Sequence, residues 1–264
     1  MNPKSQIRGL WVPLVTPFYG GEFDSQSMIK LIKTIEPSID GFVACLSSGE
    51  GGEMSNVLWE EVLKTVTQNA SKPVAVGVLR NTISEIVYCS VIAKKYGCLA
   101  ITVAIQGNSM EKQKVFCKEI SDKSALPVIL YNTVENHIDD TEELLTISKN
   151  ENIIALKDSS QNQKFFNDAV RTKKERKMNM SILQGMENQL LESVGCDGFL
   201  VALANVEPKL CRDMFTNPSR ELNEKIMEKW NKLNLASETW YIGIKEALNF
   251  RGIIKSPELI KNYE

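Results

Sequence analysis

Eight short apolar runs, spread along the chain, constrain this sequence more than any other feature. They are GLWVPLV (9–15), GFVACL (41–46), PVAVGVL (73–79), LAITVAI (99–105), PVILYN (127–132), IIALK (153–157), SILQG (181–185) and GFLVALA (198–204). The runs are continuous rather than alternating, the pattern of strands covered on both faces. Between them lie stretches of helical periodicity, among them SQSMIKLIKTI (25–35), NVLWEEVLKTVTQNA (56–70), TISEIVYCSVIAKKY (82–96) and TEELLTISKN (141–150). Most runs start about 26–32 residues after the one before, the length of one strand–helix–strand unit. Eight such units predict an α/β fold, a (β/α)8 TIM barrel over residues 1–205. An open doubly wound sheet competes, but the turn after the first strand lacks a GxGxxG fingerprint. From residue 206 the sequence turns helical, with KLCRDMF, RELNEKIMEKWNKLNLA and TWYIGIKEALNFRGI. Residues 206–264 are therefore expected to form a C-terminal helical appendage, packed on the barrel as one structural unit. Trp230, Trp240 and Tyr241 in that tail fit either a core or a subunit interface.

Composition narrows the function classes. A net charge of −2 offers no basic surface for nucleic acid or an anionic membrane. No stretch approaches the roughly 18 apolar residues that cross a bilayer. The N-terminal MNPKSQIRGLWVPLVTPF has no signal-peptide pattern, because proline interrupts its short apolar run. Six scattered cysteines without a CxxC pair read as free thiols in a reducing compartment. The expectation is a cytoplasmic protein that handles small molecules.

In a TIM barrel the chemistry collects where strands end and loops begin. Lys157 stands at the end of the sixth run. An ammonium at the end of an apolar strand is partly desolvated, which favours the neutral, nucleophilic amine. Such an amine attacks a carbonyl to give an imine, an electron sink for carbon–carbon bond chemistry. The alternative is a surface lysine paired with Asp158. Tyr131 ends the neighbouring fifth run, and its phenol suits proton transfer or simple packing at the rim. After the second run, LSSGEGGEMS supplies two hydroxyls, Ser47 and Ser48, and backbone amides in a glycine-rich turn suited to a carboxylate. An ordinary βα turn would look the same. It is not a P-loop, since no GK[ST] follows. Glu50 reads as structural. His137 is the single histidine, which leaves little material for a Ser-His-Asp triad or a histidine metal site. IDDTEE (138–143) reads as a helix start with acidic residues in its first turn, not as a metal site.

Taken in order, GLWVPLVTPF (9–18), SSGEGGE (47–53), YN (131–132), LKDSS (156–160), LQGMEN (183–188), GFLVALANVEP (198–208) and IKEALNFRGI (244–253) resemble one family. It is the dihydrodipicolinate synthase / N-acetylneuraminate lyase family of class I, pyruvate-dependent aldolases. The resemblance implies a Schiff base between Lys157 and the keto carbon of pyruvate or a related 2-oxo acid, with no cofactor and no metal. It implies that Ser47 and Ser48 hold the donor carboxylate and that Ser48 joins Tyr131 in a proton relay. Gly185 and Leu200 would line the lysine pocket. Assembly would be a homodimer or homotetramer, with a 2-oxo acid and an aldehyde as small-molecule partners.

The departures fall on the acceptor side. The family's acceptor-gripping arginine has Asn136 in its place. A tyrosine pair after the fourth strand is replaced by Gln106 and Gly107, which puts completion of the site across subunits in doubt. Arg80, where the family has a small residue, could reach over the barrel mouth as a new anchor, or point outward and pair with Glu53 or Glu85. The expected function is thus a Schiff-base lyase or aldolase that joins or cleaves a 2-oxo acid and an aldehyde. The alternatives are 4-hydroxy-tetrahydrodipicolinate synthase proper, a sugar-acid dehydratase, or a non-catalytic 2-oxo-acid-binding relative.

Overall fold

The structure is a computed structural model that describes residues 7–260. Eight parallel strands close into a barrel: β1 (Gly9–Pro13), β2 (Gly41–Ala44), β3 (Val74–Gly77), β4 (Ala100–Ala104), β5 (Val128–Asn132), β6 (Ile153–Asp158), β7 (Ser181–Gln184) and β8 (Gly198–Leu200). β1 closes the ring, with Trp11 opposite Gly41 of β2 on one side and Leu200 of β8 on the other. The strands are continuously apolar because both faces are covered. Trp11, Val43, Ala75, Ile129, Ala155, Leu183 and Leu200 pack in one cluster within the ring, and the outward residues pack against the helices. Size alternation lets the interior close. A Cβ on Gly41 would lie 2.6 Å from the Trp11 ring, so the smallest residue makes room for the largest.

The surrounding helices are α1 (Ser25–Ile35), α2 (Asn56–Asn69), α3 (Ile83–Lys95), α4 (Met110–Lys123), α5 (Thr141–Ile147) and α6 (Gln163–Arg176). Each opens on a side-chain cap, in order Asp24, Ser55, Thr82, Ser109, Asp140 and Asn162. These residues satisfy amide donors that a helix start leaves open. Thr82 and Glu85 complete a reciprocal capping box.

The seventh unit departs from the expected repeat. Only a 3-10 turn, Glu187–Gln189, lies between β7 and β8 among the described elements. α7 (Pro208–Thr216) packs against β1, and α8 (Arg220–Lys232) packs over the 187–189 turn; α9 (Tyr241–Phe250) follows. The tail thus covers ground that a seventh barrel helix would occupy. Among the described residues no helix is long and apolar enough to cross a membrane. All six cysteines are free thiols, and burial pushes those of Cys98 and Cys117 up to about 12.

Candidate active site

Alternation along β6 decides where its two charges go. Lys157 is 5 % exposed and faces into the barrel mouth, and Asp158 faces the opposite way. Asp158 Oδ1 accepts from Asn132 Nδ2 (3.2 Å) and from the Ser160 amide (3.1 Å). Burial raises the Asp158 carboxyl above its usual range, and those two bonds act against the rise. The pairing of Lys157 with Asp158 is therefore not formed. β5 pairs with β6 in a register that sets Tyr131 opposite Lys157, and Lys157 Nζ lies 4.1 Å from the centroid of the Tyr131 ring. The ring face gives the cation an electrostatic partner without drawing it into a salt bridge.

Gly185, just past β7, gives the lysine its space. A Cβ there would stand 2.8 Å from Lys157 Cε and 2.2 Å from Ser159 Oγ. Any side chain would displace one or both. Ser159 is buried, and its hydroxyl has no hydrogen-bond partner among the described residues. Glu187 is also buried at this end of the barrel, and its Oε1 accepts from the Leu203 amide at 2.9 Å. Burial raises its pKa, and the Leu203 bond and the charge of Lys157 oppose the rise.

Ser47 and Ser48 sit in a 3-10 turn, Ser47–Gly49, that ends on Glu50 in the left-handed region (φ 58°). Thr16 Oγ1 donates to the Gly49 carbonyl at 2.9 Å. A Cβ on Gly49 would lie 2.7 Å from the Leu14 carbonyl oxygen, so the turn sits hard against β1. The expected partner of Tyr131 changes here. Ser47 Oγ, not Ser48 Oγ, donates to the Tyr131 phenol, at 3.5 Å, the long end of a hydrogen bond. Consecutive side chains in a 3-10 turn diverge by about a third of a revolution, so one serine alone can face the phenol. Ser48, 2 % exposed, still borders the same cavity.

That cavity has a volume of about 710 Å³, and Ser47, Ser48, Tyr131, Lys157, Gly185 and Leu200 all line it. Arg80 and Asn136 are not among its walls. Arg80 turns back onto the loop after β2, where it donates to the carbonyls of Gly51 (3.1 Å) and Met54 (3.1 Å) and to Asn56 Oδ1 (3.3 Å). It pairs with neither Glu53 nor Glu85; its fork is taken up by the carbonyls of the adjacent loop. Asn136 closes a short turn in which its carbonyl accepts from the Thr133 amide at 3.0 Å, and Thr133, Val134 and Glu135 border the cavity instead. Gln106 Nε2 donates to the Arg80 carbonyl at 2.8 Å. Gly107 holds φ +118°, a conformation that disfavours any residue with a side chain. His137 Nδ1 lies 3.1 Å from the Val134 carbonyl oxygen, away from the cavity.

The opposite wall is one that strand-end reasoning misses. Trp230 of α8 and the connection to α9, with Leu235, Ala236, Glu238 and Trp240, complete the cavity. Trp240 is braced by an edge-on stack against Tyr241, with centroids 5.6 Å apart. No local signal marked these residues, since helical periodicity is the same whether an apolar face meets a core or a cavity. Gln161, in the left-handed region (φ 65°), and Asn188 add amides to the walls. Among the described residues no group of three or more histidines, cysteines or carboxylates could hold a metal ion.

A barrel with a desolvated lysine over a tyrosine at its C-terminal mouth defines a class of protein, and the sequence comparison agrees with it. The profile of the Dihydrodipicolinate synthetase family matches residues 6–262. The chain belongs to that family and is a lyase of the Schiff-base-forming, pyruvate-dependent aldolase type. Among individual relatives, it is 29% identical to the 4-hydroxy-tetrahydrodipicolinate synthase of Thermodesulfovibrio yellowstonii, over 94% of this chain and 90% of that one. It is 30% identical to the enzyme of the same name from Thermomicrobium roseum, over 76% of this chain and 69% of that one. The fold matches the dihydrodipicolinate synthase of Bacteroides thetaiotaomicron with a TM-score of 0.89, at 24% identity over 97% and 93% of the two chains. It also matches YagE, a prophage protein of E. coli K12 solved in complex with pyruvate, with a TM-score of 0.88 at 19% identity, over 98% and 93% of the chains.

Proposed function

We propose that Lys157 forms the imine with pyruvate or a closely related 2-oxo acid, and that the acceptor is an aldehyde without a carboxylate. The amine adds to the keto carbon and water leaves, giving the imine. Loss of a C3 proton gives an enamine. Its C3 attacks the aldehyde carbon, and the new alkoxide takes a proton through Tyr131, which Ser47 supports. Hydrolysis returns the free lysine, and the reverse sequence cleaves the same bond. Ser48 and the turn around it hold the donor carboxylate.

The observation that carries this reading is Lys157 Nζ, 4.1 Å over the Tyr131 ring and nearly removed from solvent at the base of the cavity. The acceptor assignment follows from charge. Among the cavity-lining residues Lys157 is the one cation, and the imine engages it; Glu135 and Glu238 are exposed carboxylates. A second substrate with its own carboxylate would meet repulsion and no guanidinium fork. Aspartate semialdehyde is therefore expected to be a poor acceptor, although relatives carry the synthase name. For assembly we propose a homodimer or homotetramer, on the family resemblance.

Borohydride reduction in the presence of pyruvate, followed by intact mass and peptide mapping, tests the donor half. One pyruvyl adduct on Lys157 is expected, and an adduct elsewhere or none with any 2-oxo acid overturns the assignment. Turnover with aspartate semialdehyde against glyceraldehyde tests the acceptor half. Faster turnover with the semialdehyde would refute the charge argument.

A further inference from the structure

We infer that buried Glu50 is a positioning device: through it, Lys245 of α9 and the C-terminal segment 253–260 together hold the turn that grips the donor. The inference rests on the 2-oxo-acid assignment for that turn.

Glu50 follows directly on Ser47, Ser48 and Gly49, in a backbone conformation that non-glycine residues adopt only when their surroundings hold them there. Both oxygens of its carboxylate are used. Oε1 accepts from Lys245 Nζ, 195 residues away in the chain, and Oε2 accepts from the Ile260 amide at 2.7 Å, 210 residues away. Lys245 has no solvent exposure, sits 4.9 Å over the Phe18 ring, and donates also to the Glu258 carbonyl at 2.8 Å. Burial pulls its pKa below the usual lysine range, and Glu50 acts against that pull.

Two charges taken out of water stabilise a fold poorly compared with apolar side chains of similar size. What they add is direction. Glu50 can meet both donors in one orientation only, and that orientation sets the turn. The tail is itself held down at several points. Ile254 is buried, the Lys255 amide donates to Ser27 Oγ (3.2 Å), and the Gly21 amide donates to Glu258 Oε2 (3.0 Å). Thr16 and Arg80 grip the same turn from β1 and from the end of β3. Ser47 and Ser48 thus stand at a fixed height relative to Lys157 because three distant parts of the chain meet around the next three residues.

Loosening the Glu50 clamp should weaken donor binding and leave the chemical step intact once donor is bound. The test is borohydride trapping across a pyruvate series, read as the half-saturating concentration and the maximal rate, beside the thermal midpoint. Ile260→Pro removes the amide donor and leaves the ion pair; Glu50→Gln and Lys245→Met break the pair. The expected result is a rise in half-saturating pyruvate of about 5-fold in Ile260→Pro and about 10-fold or more in Glu50→Gln, with maximal rates within about 2-fold of the parent. If Lys245→Met does not fold, Ile260→Pro decides. Half-saturation equal to the parent's in the folded variants, whatever their thermal midpoints, overturns the inference alone. Absence of trapping in the parent overturns the donor assignment and the inference with it.

Discussion

The two halves of the cavity are built on different principles. The proposed donor half consists of strand ends and one short turn: Tyr131 and Lys157 stand in the last two residues of β5 and β6, Gly185 follows β7, and Ser47 and Ser48 lie in the turn after β2. Its groups are held by barrel register, by side-chain clamps and by contacts a Cβ would break. The acceptor half consists of the 133–135 turn and the α8–α9 connection, with exposed or half-buried side chains such as Glu135, Glu238 and Trp240. Closed barrels hold strand ends rigidly, and connections vary at small cost. A family can therefore keep one reaction intermediate and change the partner it reacts with. Gln106, Gly107 and Asn136 all lie in connections.

That contrast predicts that donor-half changes act on the imine and acceptor-half changes do not. Gly185→Ala should have the largest effect. Its methyl would overlap Ser159 Oγ and crowd Lys157 Cε and the Asp158 carbonyl. Trapping and turnover should both fall by about 100-fold or more, since ångström-scale misplacement of a reacting group has effects of that order. Near-parental trapping would mean that the lysine does not depend on this gap.

Next in size is the proton relay. Tyr131→Phe should lower turnover by about 10²–10⁴-fold, the range of a lost general acid–base, and Ser47→Ala by about 10-fold. Ser48→Ala should instead raise the half-saturating donor concentration. If Ser47→Ala and Ser48→Ala exchange these effects, the phenol's partner in the working enzyme is Ser48. Acceptor-wall variants come third. Trp240→Ala and Glu238→Gln should shift the acceptor KM by about 3–10-fold and leave half-saturating pyruvate unchanged. An equal shift in both constants would dissolve the division into halves.

The smallest effect lies outside the cavity and serves as its control. Glu143 is buried between barrel helices with Oε1 unpartnered, and burial pushes its carboxyl up to about 7, helped by Asp140, Asp139 and Glu111 and opposed by Lys114. The folded chain therefore binds a proton there that the unfolded chain, with an ordinary value near 4.5, releases sooner. Stability from this residue is full below about pH 4.5 and is lost as pH rises through 7. Glu143→Gln should be neutral at pH 4 and stabilising at pH 8 by on the order of 1–2 kcal/mol. Urea denaturation at the two pH values measures it, and neither substrate constant should move.

The sequence by itself determined the barrel and the place of Lys157 at the inward-facing end of its sixth strand, because both rest on short-range rules. Apolar runs long enough for strands, separated by capped helices, have few closed arrangements. Alternation along IIALKD already sends Lys157 and Asp158 to opposite sides. Tertiary structure decided the rest. Which serine meets the phenol depends on how a 3-10 turn is rotated, and serine hydroxyls look alike in a linear string. Arg80 turned to the nearest open carbonyls, which exist only once the loop after β2 has folded beside it. The tryptophans of the tail became a cavity wall because the seventh unit has no α-helix and α8 fills its place. Glu50 found Lys245 across 195 residues. Pairings of that span are set by closure of the whole ring, and no local pattern encodes them.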